Sequence, residues 1–252
     1  MKMNSVTIDN NYYFNDNYIE FERINILFGD NGTYRENFIY KIMNELDTDN
    51  THDNSIDVSG DYLDYRGNDF DSDLSGNGID VETLELFKKL FPKYKDIEYF
   101  WLDEEIYKLV SIINFFNEIN SPYIFLKNFT TRISYLNMST IMEQMIKWVY
   151  TDNQRKIFVD TCDPYFIDNA NLNEILLFVR NDKNGKIDIG KLSDSELVKC
   201  QAGIFTPGEI VSGEDHRRIM DDIFGKEEID LDNIIKNPDL KWYTYCFIFE
   251  HY

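Results

Sequence analysis

The chain has 252 residues, 43% of them apolar and 15% aromatic, and its 25 Lys plus Arg against 46 Asp plus Glu give a formal net charge of -21. That length supports one sizeable core but not several independent domains. A charge of that sign repels phosphate backbones, so broad nucleic-acid binding is disfavoured and a basic protein partner is attracted instead.

No stretch approaches the roughly 20 apolar residues of a bilayer span, and Met1-Lys2-Met3-Asn4-Ser5 leads into a polar, aromatic segment without an apolar signal core. Cys162, Cys200 and Cys246 form no CxxC pair, and His52, His216 and His251 lie far apart. A disulfide framework, a zinc site and a His-based triad are therefore not indicated, and a reduced, cytoplasmic setting without membrane partners is expected.

In chain order, Ser5 to Phe14 and Tyr18 to Phe28 are predicted as two strands around the polar turn Asn15-Asp16-Asn17. The second closes on Ile24-Asn25-Ile26-Leu27-Phe28, a run suited to a buried strand. Gly29-Asp30-Asn31-Gly32 breaks it, and Phe38, Ile39, Ile42, Met43 and Leu46 then recur at helical spacing, predicting a helix from about Tyr34 to Leu46. From Asp47 to Asp80, Asp, Asn, Gly and Ser dominate, with short islands at Ile56-Asp57-Val58 and Tyr62-Leu63-Asp64-Tyr65. A loosely packed acidic insertion is expected there.

Helices follow at Val81 to Phe91, stopped by Pro92, and at Tyr107 to Asn120. Tyr123 to Leu126 is a short strand, Met138 to Tyr150 a helix and Arg155 to Asp160 a strand. Glu174 to Arg180 and Lys186 to Leu192 form a hairpin around Asn184-Gly185. Ser193 and Glu196 are spaced as a capping box for a helix to about Cys200. Helices at Glu214 to Phe224 and Leu231 to Ile235 and a strand from Trp242 to Phe249 complete an α/β fold with a small antiparallel portion.

A buried strand, a glycine-containing loop and a helix form the setting in which backbone N–H groups and a helix N-terminus cradle phosphates. The order hairpin, strand, then Ile-Asn-Ile-Leu-Phe-Gly-Asp-Asn-Gly at 24–32 resembles the opening of ABC-type ATPases of the RecF, SMC and OLD kind, whose phosphate loop follows G-x-N-G-S-G-K-S. Gly29, Asn31 and Gly32 agree with that pattern. Tyr34 replaces the last loop glycine, Arg35 the lysine, and Glu36 the Mg²⁺-binding Ser or Thr.

The resemblance extends further along the chain. Tyr123-Ile124-Phe125-Leu126-Lys127-Asn128 stands where the family has an apolar strand ending in Asp-Glu, which support Mg²⁺ and orient the attacking water. Thr161-Cys162-Asp163-Pro164-Tyr165-Phe166-Ile167-Asp168 is similar to the switch segment T-T-H-S-P-Y-F-L-D, with Cys162 in the place of the histidine. Trp101-Leu102-Asp103-Glu104-Glu105 occupies the place of the signature L-S-S-G-E, and no Gln lies between residues 47 and 100.

The resemblance implies a P-loop NTPase sheet flanked by helices, as a single ABC ATPase-like domain over 1–252 with its insertion at about 47–80. It also implies that hydrolysis is absent, because five nucleotide-handling positions are altered together. Gly29, Asn31, Gly32 and Arg35 remain as a residual nucleotide or anion site, with weak ATP binding as the cofactor expectation. The implied role is a pseudo-ATPase that pairs with itself or another ATPase-like subunit, in a bacterial or phage defence setting. The alternatives are an ATPase that uses Arg35, an acidic inhibitor of a basic partner, and a DNA-end-binding ring resembling the spacer-acquisition proteins of type II-A CRISPR systems.

Asp71-Ser72-Asp73-Leu74-Ser75-Gly76-Asn77-Gly78-Ile79-Asp80-Val81-Glu82 has the ligand layout of a twelve-residue calcium loop, with Asp71, Asp73, Ser75, Asn77 and Glu82 as ligands. Its apolar residue falls at position 9 instead of 8, and a solvated acidic loop is the competing reading. Arg217 and Arg218 are expected to pair with Asp221 or Asp222 on a helix surface.

Overall fold

The computed structural model of the chain describes residues 4–9, 11–45, 55–57, 64–65, 81–96, 104–118, 122–130 and 133–225. Asp71, Asp73, Ser75 and Asn77 of the candidate calcium loop lie outside them, as do Trp101-Leu102-Asp103, the expected helix at 231–235 and the expected strand at 242–249. Glu82 is described, exposed in the first turn of a helix.

Strands β1 (Ser5–Ile8) and β2 (Asn17–Glu20) pair antiparallel as a sheet of their own. The main sheet contains β3 (Ile24–Gly29), β4 (Ser55–Asp57), β5 (Asp64–Tyr65), β6 (Tyr123–Lys127), β7 (Lys156–Thr161), β8 (Ile175–Arg180) and β9 (Ile187–Lys191), in the order β5-β4-β6-β7-β3-β8-β9. From β4 to β8 the neighbours are parallel, and β5 and β9 are antiparallel edges. The islands expected at Ile56-Asp57-Val58 and Tyr62-Leu63-Asp64-Tyr65 within a loose insertion thus overlap two sheet strands, Ser55–Asp57 and Asp64–Tyr65.

The predicted strand from Tyr18 to Phe28 is two strands in two sheets. Asn25 explains the break: its amide accepts from the Glu22 N–H at 2.9 Å and donates to the Glu22 carbonyl at 2.9 Å, which consumes the backbone groups a continuing strand would need. Beyond it every residue of β3 is buried.

The helices are α1 (Arg35–Glu45), α2 (Val81–Leu90), α3 (Glu104–Glu118), α4 (Tyr135–Tyr150), α5 (Pro164–Ile167), α6 (Glu196–Gln201), α7 (Pro207–Gly213) and α8 (His216–Ile223). Strand alternation sorts the core onto two faces. Ile26, Phe28, Ile124, Leu126, Ile157 and Val159 pack with α3, α4 and α8 residues such as Leu109, Met145 and Ile219. Leu27, Phe125, Phe158 and Phe178 pack with Phe38 and Ile42 of α1 and with Val6 and Ile19 of the small sheet.

Two helix starts differ from expectation. The cap of α6 is Ser195, not Ser193, because Leu192–Asp194 is a 3₁₀ turn; Ser195 Oγ accepts from the Val198 N–H at 3.1 Å and donates to Asp222 Oδ2 at 2.6 Å. The helix predicted from Glu214 starts at His216, capped by Asp215, and is preceded by α7 with the capping box Thr206–Glu209.

Asp188 ties three elements together. Asn15 Nδ2, Asn181 Nδ2 and Arg217 Nη1 donate to it at 2.5, 2.9 and 2.5 Å, joining the first hairpin, the β8–β9 hairpin and α8. Burial pushes its carboxyl up, but these hydrogen bonds and the Arg217 charge outweigh burial and hold it below its ordinary 3.8. Its contribution to stability is therefore fully present above pH 3.8 and lost as pH falls through the lowered value. Asp188→Asn is expected to cost about 1–3 kcal/mol at neutral pH in urea unfolding, with the gap from wild type narrowing in acid below that range; a gap that widens in acid contradicts this assignment.

Candidate functional site

The loop between β3 and α1 lies at the carboxyl end of the parallel strands. Phe28 pairs with Thr161 and Leu27 with Asp160 on one side, and Leu126 of β6 pairs with Val159 of β7. Gly29, Lys127 and Cys162 therefore share one edge of the sheet. Gly29 has to be glycine, since a Cβ there would lie 2.5 Å from the Phe178 carbonyl oxygen on β8.

Arg35 fills the loop. Its side chain is 8% exposed, and Nη1 lies 2.5 Å from the Gly29 carbonyl, 2.7 Å from the Asp30 carbonyl and 2.7 Å from Thr33 Oγ1. Its Nε donates to Oδ1 of Asp160, a carboxylate buried on β7. Thr33 Oγ1 also donates to the Asp30 carbonyl at 2.7 Å, so the turn is bonded internally as well. The inward polar groups of this loop are thus oxygens aimed at a cation. A phosphate in the same space needs N–H donors.

The rim holds the loop in this form. Gly32 and Tyr34 have φ of 83° and 54°, a left-handed conformation that costs a non-glycine residue such as Tyr34 about 1–2 kcal/mol. The Tyr34 ring is gripped between Tyr13, 4.8 Å away, and the Arg180 guanidinium, 5.5 Å from its centre. Arg180 Nη2 donates to the Gly32 carbonyl at 2.9 Å. Asn31 is exposed at the tip.

A second pair stands beside the first. Lys127 Nζ, at the end of β6, lies 3.9 Å from Glu36 Oε1 in the first turn of α1, and Tyr40 Oη donates to the same carboxylate at 3.2 Å. The resemblance assigns these two positions to the Mg²⁺ site, where a hydroxyl and a carboxylate are needed. Here one residue brings its own positive charge, and the other satisfies it.

Cys162 is exposed. The rest of that segment makes a packing joint: Asp163 caps α5 by accepting from the Tyr165 N–H, and Asp168 accepts from the Gly208 N–H at 2.7 Å. Gly208 admits no Cβ, which would lie 2.2 Å from the Pro164 carbonyl oxygen. Arg217 pairs with Asp221, as expected, but also with Asp188; Arg218 pairs with Glu214, and Asp222 caps α6 instead.

The sequence brought forward Gly29, Asn31, Gly32 and Arg35, and the fold gathers Gly29 and Arg35 directly. It missed Asp160, Arg180 and Tyr13. An Asp closing the buried run Ile157-Phe158-Val159 was the available signal for Asp160; nothing in the sequence marked the other two.

No family model and no curated protein matches the chain. Among solved structures, it is similar to the SMC head domain from Thermotoga maritima, with a TM-score of 0.54 at 12% identity over 76% of this chain and 99% of that one. At such identity the likeness is one of fold: an ABC ATPase-like P-loop NTPase fold, with a mainly parallel sheet between helices and a small antiparallel sheet.

Removing one partner of a buried ion pair leaves the other charge uncompensated, at about 3–5 kcal/mol, whereas an apolar replacement of both is far milder. Arg35→Met and Asp160→Leu are each expected to lose stability in that range in urea unfolding, and the double variant to recover at least half of the larger loss. Additive losses contradict the coupling.

Proposed function

We propose that this chain is a pseudo-ATPase: an ABC ATPase-like domain that works as a structural or regulatory protein-interaction module without nucleotide hydrolysis. One observation carries the reading: the guanidinium of Arg35 is committed to Asp160 and to three oxygens of its own loop. Phosphoryl transfer relies on positioned cations and an oriented water. A phosphate entering here would have to break the Arg35 bonds and would meet Glu36 at the start of α1. Lys127 and Asn128 offer neither a metal-supporting carboxylate nor a base for water.

An interaction role is supported by what lies around the same edge. Tyr34, Tyr135, Leu136 and Tyr165 are exposed, the last three on segments that follow β6 and β7, and the Tyr135 and Tyr165 rings lie 5.8 Å apart. Aromatic groups of this kind anchor protein interfaces. The partner is a second copy or an ATPase-like subunit, and by resemblance alone the setting is a bacterial or phage defence module.

Calorimetric titration with ATP and Mg²⁺, paired with a phosphate-release assay, tests this. Binding weaker than about 100 μM, roughly -5.5 kcal/mol, and no turnover are expected. Tight binding or turnover that Arg35→Ala abolishes overturns the reading and favours an ATPase that uses Arg35. Titration with Ca²⁺ alone tests the candidate loop that ends at Glu82.

A further inference from the structure

At the opposite end of the same strands, about 20 Å from the loop by strand rise, lies a cavity of about 390 Å³ lined by Phe21, Arg23, Asn153, Arg155 and Lys156, with Glu22 at its wall. Three of the 25 basic residues of a chain with net charge -21 converge here. Their placement follows from the fold: Arg23 precedes β3, Lys156 opens β7, and those strands are parallel neighbours.

The two arginines are held by neutral groups. Arg23 donates from Nη2 to Asn153 Oδ1 at 2.8 Å and from Nη1 to the Val149 carbonyl at 3.5 Å, and it lies 4.7 Å over the Tyr150 ring. Arg155 donates from Nη1 to Thr151 Oγ1 at 2.6 Å and to the Trp148 carbonyl at 3.4 Å, and it lies 4.4 Å over the Trp148 ring. Lys156 Nζ donates to the Phe21 and Glu22 carbonyls at 2.8 and 2.9 Å. Neither arginine has a carboxylate partner among the described residues, and these bonds use only part of each guanidinium's donors. The Glu22 carboxylate is drawn to Lys191 at 3.3 Å.

The end of α4 contributes roughly half a negative charge, less than the two guanidiniums carry. Asp152 Oδ1 accepts from the Gln154 N–H at 2.8 Å, holding the turn that presents Asn153 and Arg155. The result is a preorganised concave site with surplus positive charge and planar N–H donors. That chemistry matches a doubly charged tetrahedral oxyanion better than a single carboxylate. We propose that this pocket is a phosphate-binding site, held by Arg23 and Arg155 and independent of the β3–α1 loop.

The test is a titration of the full chain with inorganic phosphate, O-phosphoserine and acetate, read by calorimetry and by the Trp148 indole resonance, which Trp148→Phe assigns. Trp148 suits this because it lies under Arg155 and its buried indole N–H has no partner among the described residues. Phosphate is expected to shift that resonance and to outcompete acetate. Arg23→Gln and Arg155→Gln, which keep a neutral donor, should each weaken binding about tenfold, and Lys199→Gln, which removes an exposed lysine paired with Glu196, should leave it unchanged. Affinity should also fall as salt rises, which tests the wild-type chain even where a variant fails to fold. Equal affinity for phosphate and phosphoserine identifies a free anion as the ligand, and tighter phosphoserine binding a phosphorylated side chain. No shift up to about 10 mM phosphate, parity with acetate, or an equal loss in Lys199→Gln overturns the proposal.

Discussion

A carboxylate sits inside the sheet of this protein, and much of its upper edge is arranged around that fact. Asp160 lies on a fully buried strand, and an ion of that size loses several kcal/mol of hydration in such a place unless a cation reaches it. Arg35 does so from the first turn of α1. The contact sets α1 against β7 and draws the 29–34 turn inward, so the loop's carbonyls converge on the guanidinium. The electrostatic need of one residue on β7 thereby decides the chemical character of a loop more than a hundred positions earlier.

The neighbouring residues form one consistent set. Glu36 and Lys127 pair between the start of α1 and the end of β6, and Tyr34 accepts a strained backbone because Tyr13 and Arg180 grip its ring. Each is unfavourable alone, since Glu36 opposes an incoming anion and Tyr34 opposes the left-handed turn. Together they surround the loop with groups the chain itself supplies. At the other strand ends the balance is different: Arg23 and Arg155 are held by carbonyls, a hydroxyl and an amide, which orient cations without neutralising them.

Much of the fold was legible in the sequence because its signals are local. The run Ile24 to Phe28, the helical spacing from Phe38 to Met43 and the short continuous apolar runs near 124 and 157 reflect burial on a sheet with two covered faces. Local signals failed where a side chain contacts its own backbone. Asn25 ends what appeared to be one long strand, and Ser195 takes the cap that the spacing of Ser193 and Glu196 suggested. In both cases several hydrogen-bond frames were open to the chain, and packing selected one.

The sequence by itself determined the α/β class, the position of the glycine turn and the presence of an arginine at the start of the following helix, because each depends on residue type and near spacing. Only the tertiary structure decided where that arginine points, that Lys127 faces Glu36, and that Arg23 and Arg155 share a cavity. Those outcomes depend on which strands become neighbours. Strand order is set by burying both faces of the sheet at once, a condition that no single stretch of the chain contains.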